Sequence, residues 1–294
     1  MPRYELVIPP ALDGRTVRQA AMGGLRLSGG QFRRAKFHGA LMLDGSPVLA
    51  DRRVHAGERL CVDVPEAAAP LPAPYELPLR VPYADAHFWL VDKPAPLPSS
   101  TSIRQEGPTL ENALYAWVGC PAQFVYRPVN RLDRGTSGLM AVARTAHAQD
   151  LLQRLLHTNE FIREYLAVVE GAPPEAGGVI DLPIAKAEGA TIRREVHPNG
   201  RPARTFYRVL EKRGGRSLLR LRLDTGRTHQ IRVHLAALGC PVAGDFLYGT
   251  ELACLPGRFA LHSAYVRLRH PVTGEWLERE SPLPPALGAL LEGR

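Results

Sequence analysis

Six prolines, at positions 65, 70, 72, 74, 78 and 82, divide this chain of 294 residues. Proline locks its own φ, lacks the N–H that helix interiors and central strands require, and biases the preceding residue toward extended backbone. A stretch this rich in proline, with Ala67, Ala68 and Ala69 inside it, is read as a semi-rigid extended linker over residues 66–80. It leaves a small module, residues 1–65, and a large one, residues 81–294. Any fold for this chain has to build two cores rather than one.

The small module reads as helices followed by short strands. Ser28 with Gln31 three residues later forms a capping-box pattern ahead of a helical stretch through Phe37 that stops at Gly39. Asp44-Gly45 between Leu41–Leu43 and Val48 marks a tight hairpin. Residues 1–64 hold ten Lys/Arg against six Asp/Glu, a surplus of four positive charges. Arg33, Arg34 and Lys36 cluster on or beside the helix that follows Ser28, and serve either as a solvated face or as phosphate contacts.

In the large module, His87–Val91 reads as a strand ending at Lys93-Pro94. Ser217–Leu223 alternates Leu219, Leu221 and Leu223 with arginines, the period of a half-buried strand. Ala148, Leu151, Leu152 and Leu155 follow helical spacing behind an N-cap at Thr145. Ile231, Leu235 and Leu238 do the same behind Thr228, with Gly239 and Pro241 as stop signals. Strands outnumber helices without alternating regularly with them, so the fold class is α+β: a mixed, mostly antiparallel sheet with flanking helices.

Two polar segments carry the reactive groups. Asn130–Gly138 sets Asp133 between Arg131 and Arg134 in a Gly/Thr/Ser loop running into the apolar Leu139–Val142. Flanking arginines hold such a carboxylate ionised, and an ionised, positioned aspartate suits nucleophilic or general-base work; a plain turn is the simpler alternative. Gly226–His234 holds two histidines and two arginines at a helix start. His229 and His234 are five residues apart, about 140° around a helix, which is off a common face for a metal. An arginine here is instead within reach of an acid supplied by the other segment.

The formal net charge of +8 and a pI near 9.6 favour a polyanionic partner. Phosphate-loop, dinucleotide-binding, nucleophile-elbow and zinc-deaminase patterns are missing. The four cysteines form no C-x-x-C pair and are expected to be reduced, partly buried thiols. Lacking a secretory signal and any apolar run near the ~20 residues that span a bilayer, the chain is expected to be soluble and cytoplasmic.

Several strings together resemble the RluA family of RNA pseudouridine synthases. Arg131-Leu132-Asp133 with Thr136-Ser137-Gly138 is similar to its R-L-D-x-x-T-S-G motif, and Arg163–Gly171 to its tyrosine-bearing strand. Thr225–Gly239 is similar to its T-G-R-T-H-Q-I-R-V-H-L block, continued by Gly244-Asp245, Tyr248-Gly249, Leu261-His262 and His270–Glu275. The resemblance runs from about Val81 to Glu280. The small module resembles, more distantly, the S4-like RNA-binding domain that precedes many such enzymes.

The resemblance implies conversion of uridine to pseudouridine in ribosomal or transfer RNA, by a monomer, with no cofactor and no metal. It implies that Asp133 is the catalytic aspartate, that Tyr165 stacks on the target uracil, and that Arg232 pairs with Asp133; a guanidinium can make such a pair charge-assisted and bidentate, as a lysine cannot. Arg131 helps to hold the opened RNA. Arg134, Arg227, Arg33, Arg34 and Lys36 are the further RNA-contacting candidates. Asn130, Cys240 and Pro96 depart from residues common in the family and leave the target uridine open. An inactive RNA-binding protein of the same fold and a metal-dependent nuclease are the competing readings.

Overall fold

The computed structural model describes residues 2–65, 69–101 and 107–292; Ala67 and Ala68 of the proline-rich stretch lie outside the described residues. Near the N-terminus come β1 (Arg3–Val7), α1 (Val17–Gly23), α2 (Gly29–His38), β2 (Ala40–Leu43), β3 (Ser46–Pro47) and β4 (Arg59–Asp63). The strands form an antiparallel sheet in the order β1-β4-β2-β3. Val17, Ala20, Leu27, Phe32 and Ala35 pack with Leu60 and Val62 in a core of their own. The capping box is present: Ser28 Oγ accepts from Gln31 N, and Gln31 Oε1 accepts from Ser28 N at 2.8 Å. A second box, Thr16 with Gln19, starts α1. Asp44 and Gly45 take φ of 48° and 80°, the paired positive values a two-residue hairpin turn needs.

The proline-rich segment is no free spacer. Asn112 Nδ2 donates to Ala73 O at 2.7 Å, Tyr75 N donates to Asn112 O at 3.3 Å, and Leu77 and Leu79 pack against the main core. Proline leaves the backbone carbonyls here without helix or sheet partners, and one asparagine side chain supplies a donor instead. Nor does the segment hold the first sheet clear of the second. Tyr4 meets the His147 ring edge-on with centroids 4.7 Å apart. Arg33 and Lys36 are exposed as expected, but Arg34 is half-buried in a groove shared with Gln149, Asp150 and Gln153.

The remaining elements are β5 (Arg80–Ala84), β6 (Phe88–Lys93), α3 (Leu110–Trp117), β7 (Arg127–Pro128), β8 (Ser137–Ala143), α4 (Ala146–Leu155) and β9 (Phe161–Glu170). There follow β10 (Gly177–Asp181), β11 (Ile184–Lys186), β12 (Arg194–Val196), β13 (Arg204–Arg213), β14 (Arg216–Leu223), α5 (Gln230–Ala237), β15 (Leu261–Arg269), β16 (Trp276–Glu280) and α6 (Pro285–Gly288). One large sheet runs β10-β13-β14-β9-β15-β8-β6-β5, with β16 on β15 and β7 on β8. β15 and β8 pair in parallel, and the other ladders of this sheet are antiparallel. β11 and β12 form a separate hairpin. This is the mixed α+β sheet that the strand-rich pattern predicts.

Both faces of the sheet are covered. Met140 and Val142 join α3 and α5 residues in one core, while Leu139, Ala141 and Ala143 join α4 residues in another. Cover on both faces explains why Leu139–Val142 reads as an unbroken apolar run rather than an alternation. Tyr165 on β9 belongs to the first core, as do Leu132 and Ile231. The loop entering β8 and the start of α5 therefore converge over the same face. Among the cysteines, Cys240 is buried and Cys61 half-buried, whereas Cys120 and Cys254 are exposed, contrary to expectation.

Gly138 explains one glycine of the Thr136-Ser137-Gly138 string. It sits where β8 begins to pair with β15, at φ +105°, and a Cβ there would lie 2.2 Å from Ser263 O and 2.7 Å from Ser263 N. Both obstacles are backbone, so nothing soft can give. Gly138→Ala is expected to destabilise the chain by about 3 kcal/mol or more, measured as a urea-unfolding midpoint. A loss below about 1 kcal/mol would mean that β8 and β15 part easily.

Candidate active site

The loop that carries Asp133 is clamped from beneath. Asn130 is buried, and its Oδ1 accepts from Ala141 N at 3.0 Å. Ser99 Oγ donates to Leu132 O at 2.6 Å and accepts from Leu132 N at 3.1 Å. Lys93 is wholly buried at the end of β6, its ammonium donating to Leu97 O at 2.7 Å and Pro94 O at 3.0 Å, with Arg134 O at 3.5 Å. Burial pushes the Lys93 amine down to about 7, against the pull of the Asp133 charge. Asp133 stands on this platform with its side chain 28% exposed.

Arg232, in the first turn of α5 and 3% exposed, reaches that carboxylate. Its Nη1 donates to Asp133 Oδ2 at 3.0 Å. The bidentate partner is another residue: Nε and Nη2 donate to Asp245 Oδ2 and Oδ1 at 2.6 and 2.8 Å. Asp245 is fully buried and also accepts from Leu247 N and Tyr248 N. The Phe259 ring lies 4.1 Å from the guanidinium carbon and the Tyr248 ring 5.0 Å. Burial opposes the guanidinium charge, but the two carboxylates outweigh it and raise its pKa further. The expected fork onto Asp133 is thus a fork onto Asp245, with a single bond left for Asp133. A planar guanidinium held edge-on by a buried carboxylate has one nitrogen left to offer.

The arginines beside Asp133 in sequence do not hold it. Arg131 and Arg134 are exposed, and the cation bonded to the carboxylate among the described residues is Arg232. Nor does Thr228 cap α5. The N-cap is His229, at φ 58° with no side-chain cap, and Gln230 Oε1 accepts from Arg227 N and Thr225 Oγ1 instead. His229 and His234 diverge as expected: His234 contacts Thr205 Oγ1 and Leu182 O, while His229 lines the cleft.

Asp133, Arg232, Tyr165, Arg131 and Arg227 all border one cleft of about 70 Å³, with Leu132, Ile231 and Leu261 as apolar wall. Tyr165 is 4% exposed. Arg134 is not among its lining residues, and Arg33, Arg34 and Lys36 lie on α2, away from it. Asp245, Tyr248 and Lys93 went unassigned in the sequence reading. Gly244-Asp245 and Tyr248-Gly249 were visible as strings, and the missing signal was a buried acid that an arginine needs.

The RNA pseudouridylate synthase family profile matches residues 87–237. The chain belongs to this family. A protein of Nitrosomonas europaea named ribosomal large subunit pseudouridine synthase D is 37% identical over 98% of this chain and 87% of its own length. A protein of Chloroflexus aurantiacus named uncharacterized RNA pseudouridine synthase is 38% identical over 97% of this chain and 92% of its own. The solved structure of human RNA pseudouridylate synthase domain containing 1 superposes with TM-score 0.59 at 30% identity, covering 72% of this chain and 86% of that one. As a family member, the chain is an RNA isomerase. No helix among the described residues is long and apolar enough to cross a membrane.

Arg232→Lys replaces three directed N–H groups by one point charge and leaves Asp245 buried with a poorer partner. The variant is expected to lose about 3 kcal/mol of stability in urea and about 100-fold or more in pseudouridine formation, while RNA affinity falls little. Unchanged stability would show that the Asp245 fork holds nothing in place.

Proposed function

We propose that this chain converts a uridine of large-subunit ribosomal RNA to pseudouridine, acting as a monomer in the cytoplasm, with Asp133 as its catalytic carboxylate. The observation that carries this reading is the Asp133 carboxylate held by Arg232 at 3.0 Å in a cleft walled by Tyr165. The ribosomal target is suggested by the relative that is 37% identical over nearly the whole chain.

The chemistry follows from the groups present. A uridine flipped from its stack enters the cleft, and Tyr165 offers an aromatic face to the uracil. The bond between N1 and C1′ breaks, its electron pair leaving with the uracil, while the Asp133 carboxylate traps or steers the electron-poor sugar. The base turns, C5 bonds to C1′, the C5 proton is lost and N1 is reprotonated. Atoms are conserved and no electrons are gained or lost, so the residues need supply only charge, shape and proton transfer. Arg131 and Arg227 at the cleft, with Arg134 close by on the Asp133 loop, offer positive charge to the phosphates of the opened strand. Arg33 and Lys36 on α2 offer a second basic patch.

Asp133→Asn keeps the shape but removes the nucleophile or base. It should fold, bind RNA and form no detectable pseudouridine in a tritium-release assay, while EDTA leaves the wild-type rate unchanged. Activity within about tenfold of wild type would sink the assignment of Asp133. We further propose that residues 1–65 act as an RNA grip and residues 81–294 as the catalytic module. A fragment beginning at Ala69, which keeps the Ala73 and Tyr75 bonds to Asn112, is expected to modify RNA at raised substrate concentration. Its affinity should fall less steeply with salt, since fewer phosphates are contacted. Binding curves across a salt series check this, and superimposable curves would remove the grip.

A further inference from the structure

One titratable side chain that lines the cleft has no task in the reading above: His229. Its backbone sits at φ 58° and ψ 18°, a left-handed conformation uncommon outside glycine, and its side chain is 13% exposed. His229 Nδ1 lies 2.8 Å from Tyr248 Oη, and that oxygen accepts the Arg194 backbone N–H at 2.8 Å. A phenol has a single proton to donate. With Arg194 donating to the oxygen, the Tyr248 hydroxyl donates its hydrogen bond to His229 Nδ1, the acceptor within reach among the described residues. A neutral imidazole that accepts at Nδ1 carries its hydrogen on Nε2. Nε2 stands 3.9 Å from Asp133 Oδ2, the same oxygen that takes the Arg232 bond. Among the described residues, no donor reaches Asp133 Oδ1.

From this asymmetry we propose that His229 is a positioning residue: its tautomer fixed by Tyr248, it presents Nε2–H to Asp133 Oδ2, joins Arg232 in holding that oxygen, and leaves Oδ1 as the oxygen that meets the ribose. The inference rests on the assignment of Asp133 as the catalytic carboxylate. A carboxylate held by one hydrogen bond can swing about it, and a second donor on the same oxygen removes that freedom. At 3.9 Å the contact is longer than a hydrogen bond, and such contacts tighten when substrate fills a site.

The charges around the ring come from every side. Asp133 stands on the loop before β8, Arg232 on α5, Asp245 and Tyr248 on the loop after α5, and Arg194 on β12. Burial, the largest influence, lowers the His229 pKa, and Arg232 and Arg194 act in the same direction against Asp133 and Asp245. The neutral ring, and with it the relay, is intact at neutral pH and fails as pH falls below the ordinary histidine range. Protonation would put a hydrogen on Nδ1 facing a phenol oxygen that already accepts from Arg194.

The test uses the full chain and a large-subunit ribosomal RNA transcript tritiated at uracil C5. Ring-nitrogen NMR of the free, 15N-histidine-labelled protein is expected to show the Nε2–H tautomer at His229, and a tautomer mixture in Tyr248→Phe. His229→Asn, which tolerates the left-handed backbone but has no donor at Nε2, should slow single-turnover pseudouridine formation by about 10- to 100-fold with RNA affinity little changed. His229→Gln, whose amide reaches the Nε2 position, should recover most of that rate and lose the histidine-dependent fall at acid pH. An Nδ1–H tautomer in the wild type, or a wild-type rate in His229→Asn, overturns the proposal. Equal slowing in the Asn and Gln variants with matching loss of thermal stability also overturns it, since that marks a merely structural histidine. Wild-type inactivity on this RNA would count against the ribosomal target, while the ring-nitrogen result would still decide the tautomer.

Discussion

A buried guanidinium shared by two carboxylates organises this molecule's cleft. Arg232 is 3% exposed, and a charge so far from water survives only where its donors are satisfied. Asp245 satisfies two of them and is itself bonded by the Leu247 and Tyr248 amides. The loop after α5 is thereby pinned to the helix, and Phe259 and Tyr248 close over the guanidinium. Only when that is done is one nitrogen left, aimed at Asp133. The acid that touches solvent is oriented by an arginine that does not, and that arginine by an acid that is wholly enclosed.

The same economy appears beneath the loop. Lys93, wholly buried, ties together the carbonyls of Pro94, Leu97 and Arg134, and Ser99 bonds both backbone groups of Leu132. Asp133 is therefore presented by rigid surroundings although it sits in a loop, and rigidity of this kind keeps a carboxylate in one geometry toward whatever enters the cleft. The sheet provides the remainder. With a core on each face, β8 and β9 have little freedom to shift, so Tyr165 and the Asp133 loop keep their separation.

Much of the architecture was legible because it is written locally. The Ser28 box, the Asp44-Gly45 turn, the Thr145 cap and the leucine alternation of β14 each need only a few neighbouring residues, and each is present. What failed is what depends on distant partners. Arg131 and Arg134 flank Asp133 in sequence yet leave it alone, because both lie out in solvent while the carboxylate pairs with buried Arg232. Thr228 looked like a cap, but Gln230 folds back to take the free donors and His229 adopts the left-handed turn. The fork of Arg232 went to Asp245, thirteen residues on in the chain, through a contact that no periodicity encodes. The resemblance named the acid, the tyrosine and the arginine; their second partners required coordinates.

The bond from Asn112 to Ala73 has a further meaning for how the two ends of the chain cooperate. β4 ends at Asp63 and the chain is fastened again at Ala73, so the covalent path between them cannot exceed about 35 Å however it is arranged. With Tyr4 of the first sheet packed on the His147 ring, a binding surface on residues 1–65 would stand at a set distance from the cleft, and two sites at a set distance act together only on a ligand whose contacts match that span. Such a connection works as a ruler. An RNA held by the proposed grip on residues 1–65 and by the cleft together would be selected for the spacing between those contacts as well as for the base it offers.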